Sequence, residues 1–343
     1  MPELPDITVY VEAIAHRAVG ERLVRVSLPS PFVLRSTQPG IDELPGLSLL
    51  SVTRLGKRIV LGFEDEISLV IHLMIAGRLH WRAAEGGTSV RRPLAVLEFP
   101  SGSLLLTEAG TRKRASIHVV RGADELARHD PGGLEMLDAS ESEFAAAITR
   151  RAHTLKRALT DPHIVSGIGN AYSDEILHRA RMSPVKLTTR LTTTEIERLL
   201  RATKEVLSEW TERLRVMAGD GFPEKVTAFR EGMSVHGRYR QPCPDCGTAV
   251  QRIVQGHSEA NYCPLCQTDG KLLADRALSR LLHRDWPRTI EELEERLTAS
   301  DLLSADPDHR SESHEEIRPV RRVAGKPGSA SRMGRGDRRH RSR

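Results

Sequence analysis

Apolar positions at the start of the chain recur at helical spacing. Ile7, Val11, Ile14 and Ala18 fall on one face, Pro5 suits a first turn and Gly20 stops the run. The pattern predicts a helix over 5–19. The period then shortens to apolar runs at 48–54, 57–63, 67–74, 94–99, 103–107 and 116–120, separated by glycine or charged turns. Such spacing predicts antiparallel strands in a sandwich or barrel, and the lack of intervening helical segments argues against a parallel α/β sheet. A turn-rich break follows at Asp130-Pro-Gly-Gly. Beyond it the period is helical again. Ser140 with Glu143 forms a capping box ahead of a helix at 141–151, a second helix is expected over 170–181, and Thr192 with Glu195 opens a third. That third helix carries Leu199, Val206, Trp210 and Leu214 and runs to Gly219. Segments 271–284 and 289–299 read as two further helices. From about 304 onward Ser, Gly, Pro and Arg dominate, which predicts disorder.

Composition adds limits to this picture. A chain of 343 residues has room for two or three domains. Its longest apolar run, Ile67–Ala76, is broken by Ser68 and His72 and has the length of a strand, so no membrane contact is expected. The N-terminus is acidic, carries two prolines and lacks the basic and apolar stretches of a signal peptide, which points to the cytosol. The net charge of +5 is unevenly placed. Ten Lys and Arg but a single acid fall in Arg318–Arg343, leaving the rest of the chain mildly acidic. Overall charge therefore does not make the body a nucleic-acid binder. Only 13 residues are aromatic, too few for a protein built to stack single-stranded bases.

All four cysteines lie in one short stretch. Cys243-Pro-Asp-Cys246 and Cys263-Pro-Leu-Cys266 are two knuckles separated by sixteen residues, a spacing that lets four thiolates meet one tetrahedral Zn²⁺. With every ligand position filled, that single ion is structural. The other reading, four cysteines buried in an ordinary core, does not explain the paired spacing.

The chemistry sits at the very start. In Met1-Pro2-Glu3-Leu4-Pro5 a small second residue permits removal of Met1, which would expose a secondary amine at Pro2. An α-amine is far less basic than lysine and can attack an aldehyde-like carbon to form an iminium. Glu3 stands beside it, ahead of a helix whose dipole favours a negative charge, placed to shuttle protons. Taken alone, these prolines could equally rigidify the start of a helix. Together with Gly56-Lys57, Gly167-Ile168-Gly169-Asn170 and the cysteine module, in that order, the stretch resembles the bacterial formamidopyrimidine-DNA glycosylase/endonuclease VIII family of bifunctional repair enzymes over residues 2–267.

The resemblance implies an α+β multidomain fold. An N-terminal antiparallel β-sandwich would span 1–128, a helix-two-turns-helix domain 129–234 and a zinc finger 235–267, with a helical extension and disordered basic tail over 268–343. It also implies a monomer acting in the bacterial cytosol or nucleoid on double-stranded damaged DNA. Pro2 would attack C1′ of the damaged nucleotide, Glu3 would protonate the sugar ring oxygen, and Lys57 would contact the adjoining phosphate. Asn170 would bind phosphate at the turn before its helix, where free N–H groups attract anions. Ile75, in His72-Leu73-Met74-Ile75, stands where the family has a methionine wedge. Arg112 and Arg114 replace an Arg-Phe pair and would meet phosphate or the orphaned base, although a solvated hairpin explains them equally. Near the finger tip, Ser258 stands where the family carries a phosphate-binding arginine, with His257 or Arg252 as substitutes. That departure keeps a second reading open: a damaged-DNA-binding protein of the same fold with weakened chemistry. The basic tail would add salt-sensitive DNA affinity or serve only as a solubilising end.

Overall fold

In a computed structural model the chain is described over residues 1–84, 92–224, 226, 230–255 and 258–273, with isolated positions at 287, 289, 292 and 295. Helix α1 (Leu4–Ala18) opens the fold, and eight antiparallel strands follow: β1 (Arg25–Ser27), β2 (Leu49–Leu55), β3 (Arg58–Phe63), β4 (Ile67–His72), β5 (Gly77–Ala83), β6 (Ala95–Phe99), β7 (Gly102–Glu108) and β8 (Ser116–Arg121). They form two four-stranded sheets, ordered β1-β6-β7-β5 and β2-β3-β4-β8. Alternation along the strands turns Ile59, Leu61, Leu69, Ile71, Leu79, Leu97 and Leu104 into one shared core, so the expected sandwich is present. Two strands escaped the sequence reading. β1 has only three residues, and β5 mixes inward Leu79 with polar Arg78, His80 and Arg82, which weakens its apolar signal.

A second core lies in the helical part. α2 (Ala123–Ala127) follows β8, and then come α3 (Glu141–Thr149), α4 (Leu155–Thr160), α5 (Asn170–Arg179) and α6 (Thr193–Ala218). Both predicted capping boxes form: Ser140 and Thr192 accept from the N–H groups of Glu143 and Glu195, whose carboxylates accept in return. In the 26-residue α6 a stripe of Ile196, Leu199, Thr203, Val206, Trp210 and Leu214 faces the core. The short helices α2 and α4 are too brief to show a period, which is why the sequence hides them.

Helix α1 joins the two cores. Leu4 packs among the helical-domain residues, whereas Ile7, Tyr10 and Ile14 pack in the sandwich. A clamp lies alongside: Arg54 on β2 pairs with Glu135, which also accepts the Ser166 hydroxyl. The chain after α6 returns to the sandwich through Phe222 and Val226. The cysteine module is a hairpin of β9 (Gln251–Gln255) and β10 (Ser258–Tyr262) followed by α7 (Pro264–Thr268). Its own apolar core is small, with Val235 and Val250 beside the cysteines. Of the segment 271–284 only 271–273 are described, and they are not helical, since Lys271 instead bridges to Thr289; the rest of that segment, most of 289–299, the tail and the assignment of His257 fall on residues outside those described.

Candidate active site and metal centre

Glu3 is the N-cap of α1, and its carboxylate is almost fully buried. It does not rest on the dipole of its own helix. It crosses to the helical domain, where its oxygens accept N–H groups from Gly169 at 2.6 Å, Ala171 at 2.9 Å and Tyr172 at 3.3 Å. The free amides that sequence reasoning reserved for a DNA phosphate at the start of α5 are thus occupied by Glu3. Gly169 is required by this fit, because a Cβ there would lie 2.6 Å from the Glu3 carboxyl carbon. A second contact braces the crossing, as the Leu4 amide donates to the Gly167 carbonyl at 2.9 Å. Asp6 fixes the backbone from the other side: it accepts the Glu3 amide at 2.9 Å and the Arg230 guanidinium at 2.6 Å. Burial pushes the Asp6 carboxyl pKa upward, with Arg230 opposing.

The chain's α-amino group lies beside this carboxylate. Met1 is half-buried and Pro2 buried behind it in the chain as translated. Burial lowers the terminal amine's pKa; the Glu3 carboxylate opposes the shift, while Arg78 and Lys57 reinforce it. Lys57 reaches the same place from the turn before β3. Burial depresses its pKa as well, again against the pull of Glu3. Among the described residues its ammonium makes no hydrogen bond or ion pair. His72, directly across the β3–β4 ladder from Arg58, completes the cluster. Burial, helped by Arg58, Lys57 and His118, brings its pKa down to about 4, so it is neutral near pH 7. In the sequence His72 is marked only by the strand alternation that puts it on the face of Arg58.

Arg78 links the amine to the β4–β5 turn, since its guanidinium donates to the carbonyls of Gly77 and Ile75. Ile75 is 56% exposed there, next to Met74 at φ +52°. The turn touches the 109–114 loop through the Ala109 amide and the Ala76 carbonyl, 3.3 Å apart. Buried Glu108 shapes that loop by accepting the amides of Arg114 and Ala115 at 2.7 and 3.0 Å. The side chains of Arg112 and Arg114 are exposed and, among the described residues, have no acidic partner. Asn170 is the first residue of α5, and its side-chain oxygen is buried without a partner.

The four cysteine sulfurs lie within 4.8 Å of one another, with Cys243 to Cys266 at 4.0 Å and Cys246 to Cys263 at 3.4 Å. These separations bracket the roughly 3.8 Å edge of a tetrahedron with Zn–S bonds of about 2.3 Å. Burial pushes the Cys263 and Cys266 thiols up, the latter to about 12. Burial also opposes the Cys246 thiolate, but hydrogen bonds from Thr248 bring its pKa down to about 7. Thiols so disposed ionise together only when a cation compensates them, and the all-sulfur donor set suits zinc.

Comparison with known proteins agrees with this geometry. Residues 1–117 match the formamidopyrimidine-DNA glycosylase N-terminal domain, 133–216 the formamidopyrimidine-DNA glycosylase H2TH domain, and 240–268 the zinc finger found in FPG and IleRS. A formamidopyrimidine-DNA glycosylase of Pelotomaculum thermopropionicum is 31% identical over 283 residues, covering 78% of this chain and 99% of that protein. The chain belongs to the formamidopyrimidine-DNA glycosylase family. A second member, from Solibacter usitatus, is likewise 31% identical over 78% of this chain. Among solved structures, the Lactococcus lactis Fpg in complex with DNA containing an abasic site superposes with a TM-score of 0.68 at 21% identity. It covers 78% of this chain and 99% of that one, which establishes the shared fold.

Within this glycosylase family fold, two groups take roles that the sequence does not reveal. One is a buried polar knot. Asp174 on α5 accepts Lys156 at 2.5 Å, His236 at 2.8 Å and Asn261 at 3.2 Å, and Glu175 accepts the amides of Ser234, Val235 and His236. Adjacent acids on a helix ordinarily read as solvated, so only the fold exposes this role. The other is Arg252. Its guanidinium sits 4.4 Å over the Tyr239 ring and 3.5 Å from Glu259, which engages it within the finger. No described helix is long and apolar enough to cross a membrane.

Proposed function

We propose that this chain is a bifunctional base-excision repair enzyme, a DNA glycosylase for oxidised bases with AP-lyase activity, acting as a monomer on damaged duplex DNA. Pro2, freed by removal of Met1, is the nucleophile. The damaged nucleotide leaves the base stack, since its C1′ is unreachable within a duplex. The Pro2 nitrogen bonds to C1′ as the bond to the base breaks. The sugar ring opens with its oxygen taking a proton from Glu3, and the nitrogen loses its own proton to give an iminium. Loss of a proton from C2′ then expels the 3′ phosphate, and water releases the enzyme. Lys57 and Asn170 hold the phosphates beside the lesion, Ile75 fills the gap, and Arg112 and Arg114 meet the duplex. Cys243, Cys246, Cys263 and Cys266 hold one structural zinc, which supplies no chemistry to the reaction.

The observation that carries this reading is the convergence of the terminal amine, the buried Glu3 carboxylate and Lys57 where the two domains meet. Engagement of Arg252 by Tyr239 and Glu259 favours the second reading, a protein that binds damaged DNA with weakened chemistry. One assay decides between them. Processed protein is mixed with duplex DNA containing an abasic site, and borohydride is added to reduce any iminium. A covalent adduct is expected with the native protein and none when Met1 is retained, because the proline nitrogen is then an amide. Native protein that shifts damaged DNA yet yields no adduct would establish the binding-only reading.

A further inference from the structure

The metal centre touches the helical domain through one side chain that neither the cysteine spacing nor the reaction accounts for. His178 lies in the last turn of α5 and is buried, its side chain 4% exposed. Its Nε2 is 3.3 Å from the Sγ of Cys243, itself buried. Asp245 is the competing acceptor, but its nearest oxygen is 4.0 Å away, beyond hydrogen-bond reach. Cys263, by contrast, has a backbone donor of its own, the Cys266 amide at 3.5 Å. Among the described residues no other N–H donates to Cys243. We infer that His178 is a positioning residue for the metal centre: it donates an outer hydrogen bond from Nε2–H to the Cys243 thiolate and so ties the bound zinc to α5.

The chemistry follows from the donor set. A zinc ion with four thiolates carries a net charge of −2, and a buried thiolate without donors concentrates that charge where water cannot reach it. An ionised sulfur has no proton to give, so the imidazole must present its N–H to it. This fixes the Nε2–H tautomer. The bond also completes a polar stripe on α5. Asp174, Glu175 and His178 lie on one side of the helix, by the i, i+1, i+4 spacing, and all three bind the finger or the segment leading into it. The apolar core of the finger is too small to anchor it alone, so these polar contacts decide how firmly the metal is held.

The inference rests on the metal reading above, and its test separates the two. Full-length His178→Phe keeps the bulk of the ring without the donor, and His178→Gln keeps a donor. With zinc-loaded protein and a chromogenic chelator in excess, metal release is expected about ten-fold faster from His178→Phe, with His178→Gln close to the native rate. In cobalt-substituted protein the sulfur-to-cobalt charge-transfer band should move to longer wavelength in His178→Phe, while the d–d bands keep the intensity of a four-thiolate tetrahedron. Equal release rates for all three proteins would overturn the inference. So would a native cobalt spectrum of three sulfurs and one nitrogen, which would make His178 a ligand. Failure of the native protein to take up any cobalt would overturn the metal reading itself, and the inference with it.

Discussion

The two halves of α5 hold their partners by opposite means. At its start, backbone amides of Gly169, Ala171 and Tyr172 hold Glu3. In its later turns, the side chains of Asp174, Glu175 and His178 hold the finger and the segment before it. Backbone donors point along the helix axis whatever residues surround them, so the first grip tolerates changes at 171 and 172. Its weakness is the single position where a side chain would intrude. The second grip is divided among several side chains, each dispensable by degrees. One helix about 15 Å long therefore carries a contact that fails all at once and another that fails in steps.

The sharpest way to break this contrast is Gly169→Ala. The added Cβ meets the Glu3 carboxyl carbon at 2.6 Å, and the atoms around it are buried, so the carboxylate must leave its amides. Single-turnover borohydride trapping on abasic DNA is expected to fall by about 10²–10⁴-fold, the range for loss of a positioned acid. Glu3→Gln should fall comparably while leaving the fold intact, as judged by thermal unfolding. Trapping at the native rate by Gly169→Ala would show that the backbone grip does not set the chemistry.

Zinc removal tests the other grip. Among the described residues, the finger's apolar core comprises little beyond Val235, Val250 and the cysteines, whereas the sandwich core contains no finger residue. Chelation should therefore lower affinity for duplex DNA by tenfold or more while the sandwich keeps its urea midpoint, followed through the fluorescence of Trp81. Loss of both in one transition would mean that the finger and sandwich unfold as a unit.

This contrast also explains what the sequence revealed. Apolar periods and capping pairs mark α1, α3, α6 and six strands, because each buries one face in a core and the period records it. The four cysteines declare their centre by spacing alone. Gly167-Ile168-Gly169-Asn170 was legible as a turn suited to an anion, but the anion it holds is Glu3, 166 residues away in sequence. A carboxylate that leaves its own helix for another domain leaves no local trace. His178, Asp174 and Glu175 are silent for the same reason: their partners are assembled only by the tertiary fold.

A smaller effect is expected at His72, on the sandwich side of the site. Folding holds this imidazole neutral, with a pKa of about 4 against an ordinary 6.5. The unfolded chain therefore binds more protons between those values, and stability falls as pH drops from about 6.5 towards 4. The loss attributable to this group is on the order of 1–3 kcal/mol. Unfolding of His72→Gln across that range should show a shallower decline than the native protein. Matching slopes would place the acid sensitivity elsewhere, with His118 and His129, whose pKa values are also lowered by burial, the next groups to replace.

The smallest effect belongs to the 109–114 loop, which neither grip of α5 touches. Glu108 shapes this loop through backbone amides, so replacing the arginine side chains leaves its conformation in place. Arg112→Ala and Arg114→Ala should therefore weaken binding to abasic duplex by only a few-fold each. The slope of log affinity against log salt should fall by about one for each phosphate left without its arginine. Because the loop adjoins the Ile75 turn rather than Glu3, trapping at saturating protein should be unchanged. A fall in that saturated rate would mean that the loop shapes the reacting geometry, and the division between gripping DNA and placing the carboxylate would then have to be redrawn to include β7.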